Sequence, residues 1–111
     1  MSCLFCKIVS REIPADFVAQ SELSVAFNDI SPQAPTHVLI VPKDHFPNVE
    51  ELANNKPANV ADLFILAGEI AAARELIGYR TVFNTGAEAG QSVFHAHLHL
   101  LGGRALHWPP G

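Results

Sequence analysis

The chain has 111 residues, of which 49% are hydrophobic, so it can form one compact core but is too short for two ordinary domains. Its net charge of −4, with only seven scattered Lys and Arg residues, argues against a broad polynucleotide-binding surface. No apolar run approaches the ~18 residues of a membrane span, and the start of the chain lacks the basic and apolar segments of a signal peptide. We therefore expect a single domain over residues 1–111, a cytoplasmic location, and neither nucleic acid nor membrane as a partner.

The N-terminal part is predicted to form a short helix followed by a β-hairpin. A helical turn over residues 3–10 would end before Pro14, because proline restricts the residue before it and cannot continue the helical hydrogen-bond ladder. Residues 17–19 and 23–27 are apolar runs separated by a polar Gln-Ser-Glu segment, and we expect them to pair as antiparallel strands.

The rest of the chain predicts further strands and one long helix. Residues 37–41 form a β-branched run typical of a buried central strand. Between residues 60 and 77 apolar side chains recur every three or four positions, which predicts an amphipathic helix. A strand over residues 79–83 and a glycine-bearing loop over residues 84–92 follow. The loop and its flanking strands are expected to form an antiparallel pair around a functional turn.

Three of the six histidines lie at alternate positions of one apolar run, His95-Ala96-His97-Leu98-His99-Leu100-Leu101. In an extended strand alternate side chains share a face, so we expect the imidazoles on one face and the apolar residues on the other. The imidazoles could bind one metal ion, but the motif has no carboxylate partner, and the amides of the preceding glycine-bearing loop suit a phosphate better. A neutral imidazole beside a phosphate is a competent nucleophile toward phosphorus.

The same heptapeptide matches the His-φ-His-φ-His-φ-φ signature of the histidine triad superfamily of nucleotide hydrolases and transferases. Most of the chain resembles one branch of it, the Hint proteins, or histidine triad nucleotide-binding proteins. The matching segments are residues 28–37, residues 90–93, residues 101–104 and the ending His-Trp-Pro-Pro-Gly at residues 107–111.

This resemblance implies an α+β fold and a nucleotide-directed activity. The fold would be HIT-like, with an antiparallel sheet of about five strands, one long helix, a short N-terminal helix and assembly as a homodimer. The activity would be hydrolysis of purine nucleoside phosphoramidates, such as adenosine 5′-phosphoramidate, with purine nucleoside monophosphates (AMP or GMP) as ligands and no cofactor needed for catalysis.

The resemblance also assigns roles to individual residues. His97 would attack the α-phosphorus and carry a transient nucleotidyl group, while His99 would donate to phosphate oxygens. His95 and His37 would orient the other rings, and Ser92 would contact the leaving amine or a phosphate oxygen. The remaining nucleotide-binding positions would be Asp29 for the ribose hydroxyls; Asn84, Gly90, Gln91 and Val93 for the phosphate; Phe5, Ile8, Ile13, Phe27 and Ile30 for the base; and Trp108 in a tail near the partner subunit's site.

A structural zinc ion is a further expectation from the resemblance. Some microbial histidine triad proteins join a Cys-x-x-Cys pair to a histidine after the central strand and to the first triad histidine. The corresponding residues here are Cys3, Cys6, His45 and His95, which together would complete a tetrahedral site.

Several alternatives stay open at the level of sequence. Asp29 could only cap its own turn, Trp108 could be an exposed tail, and Cys3 and Cys6 could be two buried thiols. Functionally, the chain could be a nucleotide-binding regulatory module, a dinucleoside polyphosphate hydrolase, or a metalloenzyme whose three triad histidines share one ion.

Overall fold

A computed structural model describes residues 3–111 of the protein; Met1 and Ser2, which the predicted domain includes, lie outside the described residues. Three helices and five strands follow one another in the order α1 (Leu4–Val9), β1 (Phe17–Gln20), β2 (Ser24–Asn28), β3 (Thr36–Pro42), α2 (Val49–Asn55), α3 (Pro57–Ala73), β4 (Tyr79–Val82) and β5 (Leu98–Gly102). No helix within residues 3–111 is long and apolar enough to cross a membrane.

The five strands form one antiparallel sheet in the order β1-β2-β3-β5-β4, which confirms the predicted α+β class. Strand β3 is central and buried at every position, because both faces of the sheet are covered. Helix α3 packs on one face, where Leu63 and Ile70 meet Val38, Ile40 and their neighbours. Helix α1 covers part of the other face through Phe5 and Ile8.

The predicted helix over residues 60–77 is displaced toward the N-terminus in the structure. Helix α3 begins at Pro57, whose fixed φ and missing N–H suit the first helical turn. It ends at Ala73, and two residues later Glu75 adopts a left-handed conformation with φ of 55°, which terminates the helical path. Sequence periodicity continued past this point only because Leu76 and Ile77 are apolar.

Helix α2 was not predicted, although its start has a recognisable signal. The side chain of Asn48 accepts a hydrogen bond from the backbone N–H of Glu51, and Glu50 and Glu51 occupy the first helical turn. An asparagine followed three residues later by glutamate is a capping pattern. The helix is short and buries Leu52 as its core residue, so its hydrophobic period is too weak to detect.

The three triad histidines do not lie together in a regular strand, so that prediction is wrong. Strand β5 begins at Leu98, and only His99 belongs to it. His95 and His97 precede it in irregular backbone that is held to the loop between β3 and α2, where Ala96 N–H donates to the carbonyl of Phe46. Within β5, Leu98 and Leu100 point into the core under α3, as the alternation predicted.

Candidate active site

Histidine rings from separate parts of the chain line up along the α1 side of the sheet. In the register of β3 and β5, Leu39 faces His99 and His37 faces Leu101, so His37 and His99 are diagonal neighbours on one face. Their ring centroids lie 5.2 Å apart, and those of His97 and His99 lie 5.0 Å apart. Phe5 of α1 presents its ring at 5.0 Å and nearly perpendicular to His97, which fixes the plane of that imidazole.

The hydrogen bond of His97 determines which of its nitrogens is free. Its Nδ1 lies 2.8 Å from the backbone carbonyl oxygen of His95, and a carbonyl can only accept. Nδ1 therefore carries the proton, and Nε2 keeps its lone pair. Burial lowers the pKa of His97 below the ordinary value, so the ring is neutral at pH 7. A neutral, oriented imidazole with a free Nε2 is suited to nucleophilic attack.

His99 is the opposite tautomer from His97 and carries its proton on Nε2. His37 Nδ1 accepts the backbone N–H of Gln33 at 3.0 Å, so the proton of His37 is on Nε2. That nitrogen lies 2.9 Å from Nδ1 of His99, which must accept, and the proton of His99 is therefore on Nε2. Burial, followed by the neighbouring His97 and His37, lowers the pKa of His99 to about 4. His99 thus offers a neutral N–H beside the nucleophile.

The loop before the histidines is braced by one buried side chain. Gln91 accepts from the N–H of Gly86 and donates to the carbonyls of Pro47 and Val93, at 2.8, 2.6 and 3.1 Å. Its side-chain amide is therefore committed to the loop, and so is its backbone N–H, which donates to the carbonyl of Gly86 at 3.1 Å. The N–H of Gly90 donates to the carbonyl of Ala87 at 3.0 Å, so the predicted phosphate contacts from the backbone N–H groups of Gly90 and Gln91 are not available in this conformation. Gly90 adopts a left-handed conformation with φ of 99°, which a side chain would strain.

The other predicted phosphate contacts lie along the same loop. Asn84 and Val93 are half-buried, and Ser92 is exposed. Ala89 closes a short 3-10 turn over Ala87–Ala89. The loop can hold this turn because Gly90 supplies the left-handed residue directly after it.

The predicted base-binding residues fall into two groups. Phe5, Ile8 and Phe27 are buried together in the core under α1, and Ile13 packs against this cluster from the side. Ile30, in contrast, is fully exposed on the loop after β2. Four of the five residues therefore belong to one largely buried apolar cluster under α1, and Ile30 stands apart from it in the structure.

Asp29 makes two contacts at the start of that loop. Its Oδ1 accepts the backbone N–H of Ser31 at 2.7 Å, so the turn-capping role that sequence left open is present. Its Oδ2 lies 3.5 Å from Nε2 of His37. The carboxylate is thus connected to the histidine row.

A second cluster brings the four predicted zinc ligands together. One ligand atom from each of Cys3, Cys6, His45 and His95 lies within 4.8 Å of all the others. His95 Nε2 donates to the carbonyl of Pro42, which leaves Nδ1 unprotonated at 3.0 Å from His45 Nδ1 and 3.4 Å from Cys3 Sγ. Two sulfur and two nitrogen donors around one point suit tetrahedral zinc. Burial and the neighbouring Cys3 raise the pKa of the Cys6 thiol to about 11, and a bound cation would reverse this effect.

The triad histidines do not converge on one ion. Among residues 3–111, the groups that could hold a metal include His95 in one cluster and His99 in the other, and His97 in neither. The hypothesis of a metalloenzyme with three triad ligands is therefore not supported by the geometry.

Comparison with known proteins decides the family. The HIT domain family model matches residues 10–106, which is most of the chain. This protein belongs to the HIT domain family. It is 50% identical over 109 residues to an uncharacterized HIT-like protein of Synechococcus elongatus, covering 97% of this chain and 96% of the relative. It is 45% identical to the purine nucleoside phosphoramidase of Escherichia coli, covering 93% of this chain and 88% of that enzyme.

Solved structures agree with this assignment. A HIT family hydrolase from Legionella pneumophila Philadelphia 1 is 48% identical and superposes with a TM-score of 0.95, over 99% of this chain and 100% of that one. A HIT family hydrolase from Clostridium thermocellum is 42% identical, with a TM-score of 0.91 over 96% and 94% of the two chains. The HIT-like fold is therefore established for this protein.

The C-terminal tail of the HIT protein is exposed. The side chain of Trp108 is 82% accessible, and the guanidinium of Arg80 on β4 donates to the carbonyl of His107 at 2.9 Å. The tail is thus held beside the edge of the sheet.

Three supports of the site were not predicted from the sequence: the ring of Phe5 against His97, the backbone N–H of Gln33 on His37, and the bracing side chain of Gln91. Of these, only Gln91 has a signal in the sequence, namely a glutamine directly after a glycine of the loop.

Proposed function

We propose that this HIT protein hydrolyses purine nucleoside phosphoramidates through a nucleotidyl intermediate on His97. The observation that carries the proposal is the hydrogen bond from His97 Nδ1 to the carbonyl of His95, which leaves Nε2 free as a nucleophile next to the donor His99. The likeness to the purine nucleoside phosphoramidase of Escherichia coli supports this choice of substrate.

In the first step of the proposed reaction, His97 Nε2 forms a bond to the α-phosphorus and the P–N bond breaks. The leaving nitrogen takes up a proton from solvent water and departs as an amine, with Ser92 as its hydrogen-bonding partner. In the second step, water attacks the same phosphorus and releases one proton to solvent, the N–P bond to His97 breaks, and the nucleoside monophosphate is released. The Nε2–H of His99 and the backbone N–H groups of Ser92 and Val93 would stabilise the charge on the phosphate oxygens in both steps.

Substitution of His97 tests the mechanism directly. We expect His97→Ala to lower the turnover of adenosine 5′-phosphoramidate by at least about 1,000-fold. AMP binding should persist, because the glycine-bearing loop and the apolar cluster under α1 remain. His107→Ala, in the exposed tail, is the matched control. Full turnover by His97→Ala would refute the intermediate. Binding of AMP by the wild-type protein without turnover of any phosphoramidate would favour a regulatory module, and preferred cleavage of a dinucleoside polyphosphate would favour the other hydrolase class.

We also propose that Cys3, Cys6, His45 and His95 bind a structural zinc ion that joins helix α1 to the sheet. The donor set and the unprotonated Nδ1 of His95 support this proposal. Metal analysis of the purified protein should give one zinc per chain, and Cys6→Ser should lower this content. A protein that contains no zinc and does not bind added Zn²⁺ would refute the site.

Finally, we propose that the protein forms a homodimer through the β4 edge of the sheet. Within residues 3–111, strand β4 pairs only with β5, and Phe64, Ile65, Ile77 and Tyr79 are exposed apolar residues. Sedimentation should show a dimer that Ile77→Asp weakens and that Ile30→Asp, at another fully exposed isoleucine, does not. A monomeric wild-type protein would contradict the proposal.

A further inference from the structure

Asp29, His37 and His99 form a continuous chain that the proposed reaction does not yet use in full. The chain starts at the loop after β2, passes through β3 and ends on β5, next to the proposed nucleophile. Asp29 Oδ2 lies 3.5 Å from His37 Nε2, which in turn lies 2.9 Å from His99 Nδ1. The ligand atoms of the three residues could also surround an ion, but His37 Nε2 carries a proton, which it donates to His99 Nδ1. The Asp29 carboxylate lies beside this same N–H and electrostatically favours the proton on Nε2 over Nδ1.

Backbone groups hold both Asp29 and His37 in place. On one side, the backbone N–H of Ser31 donates to Asp29 Oδ1 and the N–H of Asp29 donates to the carbonyl of His37, at 2.7 and 2.9 Å. On the other side, the N–H of Gln33 donates to His37 Nδ1. The other tautomer of His37 would therefore place an N–H against the backbone N–H of Gln33 and an unprotonated nitrogen against the Asp29 carboxylate.

The electrostatics agree with a chain of neutral imidazoles that ends in a carboxylate. Burial lowers the pKa of His37, and Asp29 partly opposes this effect. The carboxylate attracts the hydrogen of His37 Nε2, and it also favours a more positive ring at His99. Removing the charge at Asp29 would therefore weaken the orientation of both rings.

We propose that Asp29 is a positioning residue for the phosphate end of the site, and that it acts through His37 to hold His99 with its N–H directed at the substrate. This role is separate from any contact between Asp29 and the ribose hydroxyls. The inference rests on the proposed function for its kinetic consequence, whereas the tautomers themselves can be observed in the protein without substrate.

The kinetic experiment separates the two roles by removing the sugar hydroxyls from the substrate. Asp29→Asn keeps the size of the side chain and an oxygen for Ser31 N–H, but it can place an NH₂ group against the Nε2–H of His37. With 2′,3′-dideoxyadenosine 5′-phosphoramidate, a residue that only binds the diol would have no effect. We expect Asp29→Asn to lower kcat for this substrate about tenfold, with KM unchanged within about twofold.

A second substitution tests whether the effect passes through His37. In a His37→Gln background, Asp29→Asn should cause no further loss of kcat on the dideoxy substrate, because the connecting ring is absent. Asp16→Asn is the matched control: Asp16 is an exposed carboxylate that accepts from Asn28 near the same loop, and its substitution should leave kcat unchanged. Additive losses from Asp29→Asn and His37→Gln would overturn the proposal, as would an unchanged kcat of Asp29→Asn on the dideoxy substrate.

The spectroscopic experiment needs no activity. The ¹⁵N spectra of wild-type protein at pH 7 should show His37 and His99 each with an unprotonated Nδ1 and a protonated Nε2. In Asp29→Asn the signals of both rings should move toward tautomer averaging, whereas those of Asp16→Asn should match the wild type. Unchanged His99 signals in Asp29→Asn would overturn the positioning role. If the wild-type protein turns over no phosphoramidate, the proposed function fails and these spectra alone decide the inference.

Discussion

Replacement of His99 should make the stability of this protein less sensitive to acid. Burial, then the nearby rings of His97 and His37, lowers the pKa of His99 from 6.5 to about 4. Between these values the unfolded chain binds a proton that the folded chain does not, so the contribution of His99 to folding is present above pH 6.5 and is lost as pH falls. At pH 5 this loss amounts to about 2 kcal/mol, and it stops growing below about pH 4.

Urea denaturation at pH 7 and pH 5, followed by circular dichroism, measures this effect. The wild-type protein should lose unfolding free energy between the two pH values, and His99→Asn should lose about 2 kcal/mol less because asparagine does not titrate. His107→Asn, in the exposed tail, should show the same pH dependence as the wild type. An equal loss in His99→Asn and wild type would show that His99 does not have a lowered pKa in the folded protein.

Three further substitutions and treatments test other parts of the structure. Gln91→Ala removes three hydrogen bonds from the phosphate-binding loop and should raise KM for adenosine 5′-phosphoramidate by about tenfold or more; an unchanged KM would show that the loop holds its shape without the brace. Gly103→Ala should destabilise the protein by about 2 kcal/mol, because a Cβ would lie 2.9 Å from Pro35 Cβ at a residue with φ of 89°, and a wild-type denaturation midpoint would contradict this. Chelation of the proposed zinc should lower the melting temperature of the wild-type protein but not that of Cys3→Ser; an equal decrease in both would place the chelator's effect elsewhere.

Much of the fold was predictable because local patterns carried it. The β-branched run over residues 37–41 and the apolar period of α3 each depend on residues close together in the chain, and both elements formed near the predicted positions. The errors lie where local periodicity and tertiary structure disagree. Helix α3 ends at Ala73 although apolar residues continue, because Glu75 turns the chain in a left-handed conformation, after which Leu76 lies against Gly102 at the end of β5.

The histidines show the same division within the site. Alternation predicted correctly that Leu98 and Leu100 enter the core and that His99 faces the other side. Alternation alone did not separate His95 from the other two, since that separation depends on where the N-terminal helix packs; it was the family resemblance that grouped His95 with Cys3, Cys6 and His45, as the structure does.

The sequence by itself determined the family, the α+β class and the residue types available for chemistry, because signature spacing and hydrophobic pattern are properties of neighbouring residues. The tertiary structure alone decided which nitrogen of each histidine carries the proton. That assignment depends on three contacts: His37 meets His99, 62 positions away in the sequence; the backbone N–H of Gln33 donates to His37; and the backbone carbonyl of His95 accepts from His97. A ring's tautomer is set by the partner at its other nitrogen, and for His37 and His99 the register of β3 against β5 brings those partners together.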